Sequence, residues 1–289
     1  MDAASSPARA SVQGSESASG SASGSASELA SRPAAAGRWT TEHVLSMRRW
    51  TPTLISFRTT RPPGFRFTPG HYARLGLATG EGGIVWRPYS MACGEHADHL
   101  EFLLVLVPGG EFSTKMSALR PGDPVLVEKA SFGFLTLEQL APGKQLWLLA
   151  SGTGIGPFVS ILRGPAVWRT YEKVIVAHSV RSRAELAWRD EIEGAAREAL
   201  AAEPNRELRY LPVVTREPGA CDLDARIPTL LSDGRLERSA AARLSVDHSR
   251  VMACGNPEMM RELRAKLSAR GFRTSRRGMP GQMAFENYW

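Results

Sequence analysis

Leu146-Trp147-Leu148-Leu149-Ala150-Ser151-Gly152-Thr153-Gly154-Ile155-Gly156-Pro157-Phe158 decides how the second half of this chain folds. Five consecutive apolar residues read as a buried strand, the glycines as a tight turn, and the apolar stretch through Ile161 as a helix. A glycine turn between a buried strand and a helix is the setting that a phosphate-binding loop requires. Two familiar loops are excluded. No Gly-Lys-Ser/Thr ending is present, and the third glycine comes one residue too early for Gly-x-Gly-x-x-Gly. Pro157 suits a first helical turn, where its missing N–H costs nothing. The competing reading is a purely structural strand-helix turn.

Outward from this loop towards the C-terminus, apolar runs at 174–178, 208–214 and 251–253 alternate with helical stretches at 184–200 and 258–270. Such alternation predicts a parallel doubly wound sheet with its ligand at the carboxyl ends of the strands. Cys254-Gly255-Asn256-Pro257 repeats the loop design after the last of these runs, with Pro257 opening a helix. Cys254 is either a small polarisable thiol facing a ligand or an inert buried cysteine. Arg181 follows the strand ending in His178, Arg216 follows Val213-Val214-Thr215 and Arg226 precedes Ile227-Pro228, each expected near the carboxyl end of the sheet. Cations there suit a 2′-phosphate, where an NAD site would place an acid on the ribose, so NADP is favoured.

Towards the N-terminus the rhythm is different. Short strand-like runs at 43–50, 54–59, 71–77, 100–107 and 125–129 are separated by Pro and Gly, with one short helix at 113–119. They predict a small antiparallel β-barrel. Ala141-Pro142-Gly143 marks the boundary, giving a barrel over 38–142 and an α/β domain over 143–289. In the barrel, Arg87-Pro88-Tyr89-Ser90 offers a cation, a flat aromatic face and a hydroxyl, a set that suits a flavin with a pyrophosphate; an exposed edge strand is the alternative. Downstream, Gly110, Phe112, Ser113 and Thr114 combine glycine with a capping Ser/Thr, which would free backbone N–H groups to seat a diphosphate. An ordinary turn into a capped helix is the plainer alternative.

Composition bounds the rest. With 289 residues and 43% hydrophobic content the chain can bury more than one core. Its net charge of +7 permits an acidic partner, but the basic residues are too scattered for nucleic acid. Three distant cysteines, Cys93, Cys221 and Cys254, provide neither a disulfide framework nor a four-thiolate cluster. His96 and His99 flank Asp98 in a polar turn, which predicts no metal site. The longest apolar run, 102–107, falls far short of the roughly twenty residues that span a bilayer, so a soluble cytoplasmic protein is expected. Residues 1–37 are a Ser/Ala/Gly tail, expected to be disordered. They lack the apolar core of a signal peptide, and Asp2, Glu16 and Glu28 argue against a plastid transit segment.

From about Trp39 to Trp289 the chain resembles the bacterial type of ferredoxin:NADP reductase, also called flavodoxin reductase. The resemblance rests on an ordered series: Thr68-Pro69-Gly70-His71-Tyr72, Arg87-Pro88-Tyr89-Ser90, Gly110 to Thr114, the glycine loop, Val214-Thr215-Arg216-Glu217, Arg226-Ile227-Pro228, Cys254 to Met259 and the ending Glu286-Asn287-Tyr288-Trp289. It implies a barrel binding FAD noncovalently and an α/β domain binding NADP(H). Tyr72, Tyr89 and Tyr288 would surround the isoalloxazine, with Trp289 near the adenine half; Arg87, Pro88, Gly110, Phe112, Ser113 and Thr114 complete the FAD set. Thr153, Gly154, Ile155, Gly156, Pro157, Gly255, Asn256 and Pro257 would hold NADP, with Arg181, Arg216 and Arg226 on its 2′-phosphate. Ser90, Cys254 and Glu286 match positions near the site of hydride transfer. The implied activity is hydride transfer between NADP(H) and flavin N5, then single-electron steps to an acidic ferredoxin or flavodoxin, by a monomer. Arg273, Arg276 and Arg277, with Arg48 and Arg49, could dock that carrier. The long tail and Pro88 depart from the family pattern. Two alternatives stand beside this expectation: the reductase component of an oxygenase system, and a flavin- or NADP-responsive binding protein without turnover.

Overall fold

The computed structural model describes residues 37–80, 82–202 and 206–287. The expected disordered tail, apart from Gly37, and the roles given to Tyr288 and Trp289 therefore lie outside the described residues.

Six strands build the first layer: β1 (Trp39–Arg49), β2 (Leu54–Thr60), β3 (Tyr72–Ala78), β4 (Ile84–Ser90), β5 (His99–Val105) and β6 (Pro124–Phe132). They pair antiparallel in the order β4-β3-β6-β1-β2-β5. A bridge between Met91 and Phe102 links the two ends and closes the barrel. Alternation explains the closure: Leu75 and Leu77 of β3 and Val125 and Val127 of β6 turn inward. Phe57 and Phe102 are register partners with ring centroids 5.4 Å apart. Helix α1 (Glu111–Ala118) closes one end through buried Phe112 and Met116, starting two residues earlier than the sequence predicts. β4 was expected only as a binding motif or an edge strand. It is the edge strand, and Pro88 is tolerated opposite Arg74 because an edge can spare one donor.

The second layer is a five-stranded parallel sheet: β7 (Gln145–Ser151), β8 (Lys173–Val180), β9 (Glu207–Val214), β10 (Ser249–Gly255) and β11 (Met283–Asn287), in the order β11-β10-β7-β8-β9. β7, β8 and β10 are buried on both faces, which is why they read as apolar runs. Leu146, Leu148, Val174, Val176 and Met252 face α2 (Gly156–Leu162), α3 (Pro165–Thr170) and α4 (Arg189–Ala202). Trp147, Leu149, Ile175, Val251 and Ala253 face α5 (Ile227–Ser232), α6 (Arg235–Ser239) and α7 (Pro257–Ala269). The helix predicted over 184–200 is interrupted: a short 3-10 turn, Arg183–Glu185, ends before Trp188, whose φ of +57° breaks the spiral ahead of α4. Among the described residues no helix is long and apolar enough to cross a membrane.

Barrel and sheet share one core, since Leu54 and Leu103 cluster with Phe158 and Leu162 of α2. Buried Glu101 of β5 accepts hydrogen bonds from Arg58 (3.0 Å) and from Arg163, the residue that ends α2. Trp50 of the β1–β2 turn meets Trp188 edge to face at 6.2 Å. The passage between the layers is also gripped. Arg250 of β10, only 5% exposed, donates to the carbonyls of Ala141, Pro142, Val246 and Ser249.

Candidate active site

The chain runs outward through β7, β8 and β9 and then returns to the other side of β7 as β10. This reversal leaves a crevice beyond the carboxyl ends of β7 and β10, the place where open parallel sheets bind ligands. Both glycine motifs end there. The first is a 3-10 turn, Gly152–Ile155, leading into α2. Gly154 lies so close to β10 that a Cβ would fall 2.3 Å from the Cys254 carbonyl oxygen. Gly255, at φ +133°, answers from the other side, where a Cβ would fall 2.2 Å from Ser151 Oγ. The two turns are interlocked, and glycine is what allows it. Ser151 Oγ accepts a hydrogen bond from the Asn256 N–H at 2.9 Å. The Asn256 side chain caps α7 by accepting from the N–H groups of Glu258 (2.9 Å) and Met259 (3.2 Å).

A cleft of about 660 Å³ opens at these strand ends, and Thr153, Arg181, Arg216, Arg226 and Asn256 all line it. Gly154, Ile155, Gly156, Pro157, Cys254 and Gly255 are buried behind it, and Pro257 is exposed at the start of α7. The sequence therefore marked the wall and its buttress together. Pairing of β8 with β9 continues past the strands, with Thr215 N–H on Val180 O (3.0 Å) and Arg216 N–H on Arg181 O (2.9 Å). This extension sets the two arginines side by side. Arg226 pairs with Glu262 at 2.9 Å and Glu258 at 3.4 Å, and Arg181 with Glu185 at 3.5 Å. These pairs are half exposed and weak, so an incoming dianion can displace the carboxylates. Thr53, Leu54 and Val105 of the barrel form the opposite wall. Sequence reasoning missed those three and, on the sheet side, Ser151, Ser179, Val180 and Glu185; only the Ser preceding the glycine loop carried a signal.

On the barrel, Tyr72 and Ser90 are register partners on β3 and β4. Tyr89, on the other face of β4, lies against Phe112 with centroids 5.3 Å apart, and burial pushes its hydroxyl up to about 12. Arg87 shares that face of β4 and is exposed, its Nη1 donating to Trp86 O at 2.8 Å. The expected cap on α1 is corrected. Gly110 occupies the N-cap with no side-chain hydrogen bond, Ser113 Oγ accepts from the Val107 N–H, and Thr114 Oγ1 donates to Gly110 O. The N–H groups of the first turn consequently remain available, as the diphosphate seat requires.

The two layers also meet at two residues named from the sequence, with a third beside them in the sheet. Ser90 Oγ donates to Glu286 Oε1 at 3.4 Å, and Glu286 is the register partner of Cys254 on the adjoining strand. Burial raises the Glu286 carboxyl to about 7, with the Ser90 hydrogen bond pulling the other way. Cys254 is fully buried.

A barrel with an aromatic edge, set on a doubly wound sheet whose switch point opens into an arginine-rich cleft, defines a nucleotide-dependent oxidoreductase. Residues 148–265 match the family model described as the oxidoreductase NAD-binding domain. The chain is 38% identical over 251 residues to ferredoxin–NADP reductase A of Sorangium cellulosum, covering 86% of this chain and 89% of that one. It is 38% identical over 250 residues to the ferredoxin–NADP reductase of Pseudomonas aeruginosa, covering 85% and 96%. A ferredoxin NADP+ reductase from Neisseria gonorrhoeae, solved with bound FAD and NADP, superposes with a TM-score of 0.80 at 36% identity, over 88% of this chain and 100% of that one. The chain belongs to the ferredoxin–NADP reductase family.

Proposed function

We propose that this protein carries FAD on the barrel edge and NADP(H) in the arginine-lined cleft, and moves electrons between NADP(H) and a ferredoxin or flavodoxin. The observation that carries this is the hydrogen bond between Ser90 of the barrel and Glu286 of the sheet, whose register partner Cys254 stands two residues before Asn256 of the cleft wall. The residues present fit both groups. Arg87 and the first-turn N–H groups of α1 would hold a diphosphate, and Tyr89, on the same face of β4 as Arg87, would lie against a flat ring, whereas Tyr72 projects from the opposite face with Ser90. Arg181, Arg216 and Arg226 would hold a 2′-phosphate, which supports NADP over NAD. When bound, FAD supplies the ability to take a hydride from NADPH and release electrons singly.

The chain's own residues do the rest. Thr153 and Asn256 position the nucleotide along the cleft, and the barrel wall of Thr53, Leu54 and Val105 restricts water on its far side. Glu286, raised to about 7, holds or releases a proton at its carboxylate within the physiological range. Ser90 orients that carboxylate.

For the carrier, Arg273, Arg276 and Arg277 are exposed. Arg276 and Met279 exchange both backbone hydrogen bonds and hold Arg277 at the tip of a tight hairpin. Arg48 fits this role less well, since it pairs with Glu191 at 2.6 Å and lies over Trp50. The docking surface for an acidic carrier therefore centres on the hairpin. Anaerobic stopped-flow mixing tests the whole proposal. Rapid bleaching of the flavin by NADPH, much slower bleaching by NADH, and reoxidation by ferredoxin or flavodoxin are expected. Bleaching by NADPH with no electron delivery to either carrier would overturn it.

A further inference from the structure

Gly152 opens the glycine turn at φ +55° and lines the cleft. Its carbonyl is held by a side chain from the neighbouring strand. His178 of β8 is fully buried, and its Nε2 lies 3.0 Å from Gly152 O. A carbonyl can only accept, so Nε2 carries the proton. Nδ1 is then the acceptor, and it faces the hydroxyl of Tyr210 on β9 at 3.3 Å. The relay has one direction: Tyr210 O–H to Nδ1, and Nε2–H to Gly152 O. Burial lowers the His178 pKa to about 4, so the neutral ring and this tautomer persist across the physiological range.

The consequence lies on the other side of the peptide. In a planar trans peptide the N–H points opposite to the preceding C=O. Drawing Gly152 O towards the buried imidazole therefore turns the Thr153 N–H away from the sheet, on the side where Gly152 and Thr153 line the cleft. We propose that His178, oriented by Tyr210, is a positioning residue that aims the Thr153 N–H at the diphosphate of the pyridine nucleotide. The proposal rests on NADP(H) occupying the cleft. It adds a fully buried residue to the site, and it separates the diphosphate end of the site from the 2′-phosphate end.

That separation supplies the test. Calorimetry on the FAD-loaded full-length protein compares NADP+ with adenosine 2′-monophosphate, which presents the 2′-phosphate to the arginines but has no diphosphate. His178→Leu is expected to weaken NADP+ about tenfold, as the loss of one well-aimed hydrogen bond to a charged group would. Adenosine 2′-monophosphate should change less than about twofold, because no hydrogen bond to it is lost. His178→Gln, whose amide N–H can reach Gly152 O, should recover most of the loss. Tyr210→Phe should show the same pattern at about threefold, a weaker effect because it acts through the ring. Equal weakening of both ligands would overturn the proposal, as would unchanged NADP+ affinity. If His178→Leu fails to retain flavin, the other two variants decide: unaltered NADP+ binding in Tyr210→Phe, or no recovery in His178→Gln relative to His178→Asn, overturns it. Absence of NADP+ binding in the wild type would instead remove the assignment of the cleft, and the positioning role with it.

Discussion

Replacing Gly154 by alanine puts the interlock of the two glycine turns under direct strain. The added Cβ would lie 2.3 Å from the Cys254 carbonyl oxygen and 2.6 Å from its carbon, where ordinary contact begins at 3.4 Å. The turn and β10 must part by about 1 Å, and neither partner is a side chain that can swing away. β10 is hydrogen-bonded to β7 on one side and β11 on the other, so its displacement disturbs both ladders. Overpacking of this kind costs about 1–3 kcal/mol. For a chain of this size that corresponds to a Tm lowered by about 2–6 °C. The same shift moves Thr153 away from Asn256, and NADP+ should bind roughly tenfold more weakly, the equivalent of one mis-set hydrogen bond. Gly80→Ala is the control, since a Cβ there meets open space. Scanning fluorimetry and an NADP+ titration on the two variants give the answer. A Gly154→Ala protein that melts and binds as wild type does would refute the interlock.

Three further outcomes follow from the geometry. Glu286 holds its proton more tightly folded than unfolded, its pKa being raised from 4.5 to about 7, so its contribution to stability falls as pH rises through that window. Glu286→Gln should therefore match wild type below pH 4.5 and gain up to about 3 kcal/mol on it by pH 8; thermal melts showing a pH-independent gap would contradict this. Glu101→Gln leaves Arg58 and Arg163 facing each other with no anion between them. It should cost about 2 kcal/mol in urea unfolding, discounted because Arg58 is half exposed; a loss below about 0.5 kcal/mol would mean the pair does not bind the layers. Reversing charge at Arg276 and Arg277 should flatten the salt dependence of electron transfer to the carrier, and an unaltered salt slope would remove the hairpin from docking.

The centre of the sheet was legible because β7, β8 and β10 are buried on both faces, so that 146–150, 174–178 and 251–253 read as apolar runs. β11 was not. It is short, half of it is partly exposed, and its place at the sheet edge comes from a parallel pairing with β10 that no local pattern announces. β4 was read for its chemistry rather than its shape because Arg87 and Pro88 break the alternation that a central strand would keep. Arg181 and Arg216 were found because each stands just past a strand end, and Arg226 because it stands just before Ile227-Pro228 at the start of α5. The far wall of the cleft was invisible, since Thr53, Leu54 and Val105 reach it only through the packing of barrel on sheet. Ser113 was assigned the wrong partner because a Ser two residues into a helix and a Ser at its cap look alike in one dimension; the backbone that chooses between them is set by Gly110.

Arg250 constrains how this architecture could be rearranged. Its guanidinium takes its partners from the short connection after the barrel and from the approach to β10, so the connection is clamped at a point more than a hundred residues downstream. Burial already lowers the pKa of this arginine. Lengthening the connection, or grafting a foreign barrel in front of Gln145, would strip carbonyls from a buried cation. The two halves are consequently not interchangeable cassettes. A chimera should fold only if its junction keeps backbone carbonyls where those of Ala141 and Pro142 stand, or if Arg250 is replaced in the same step.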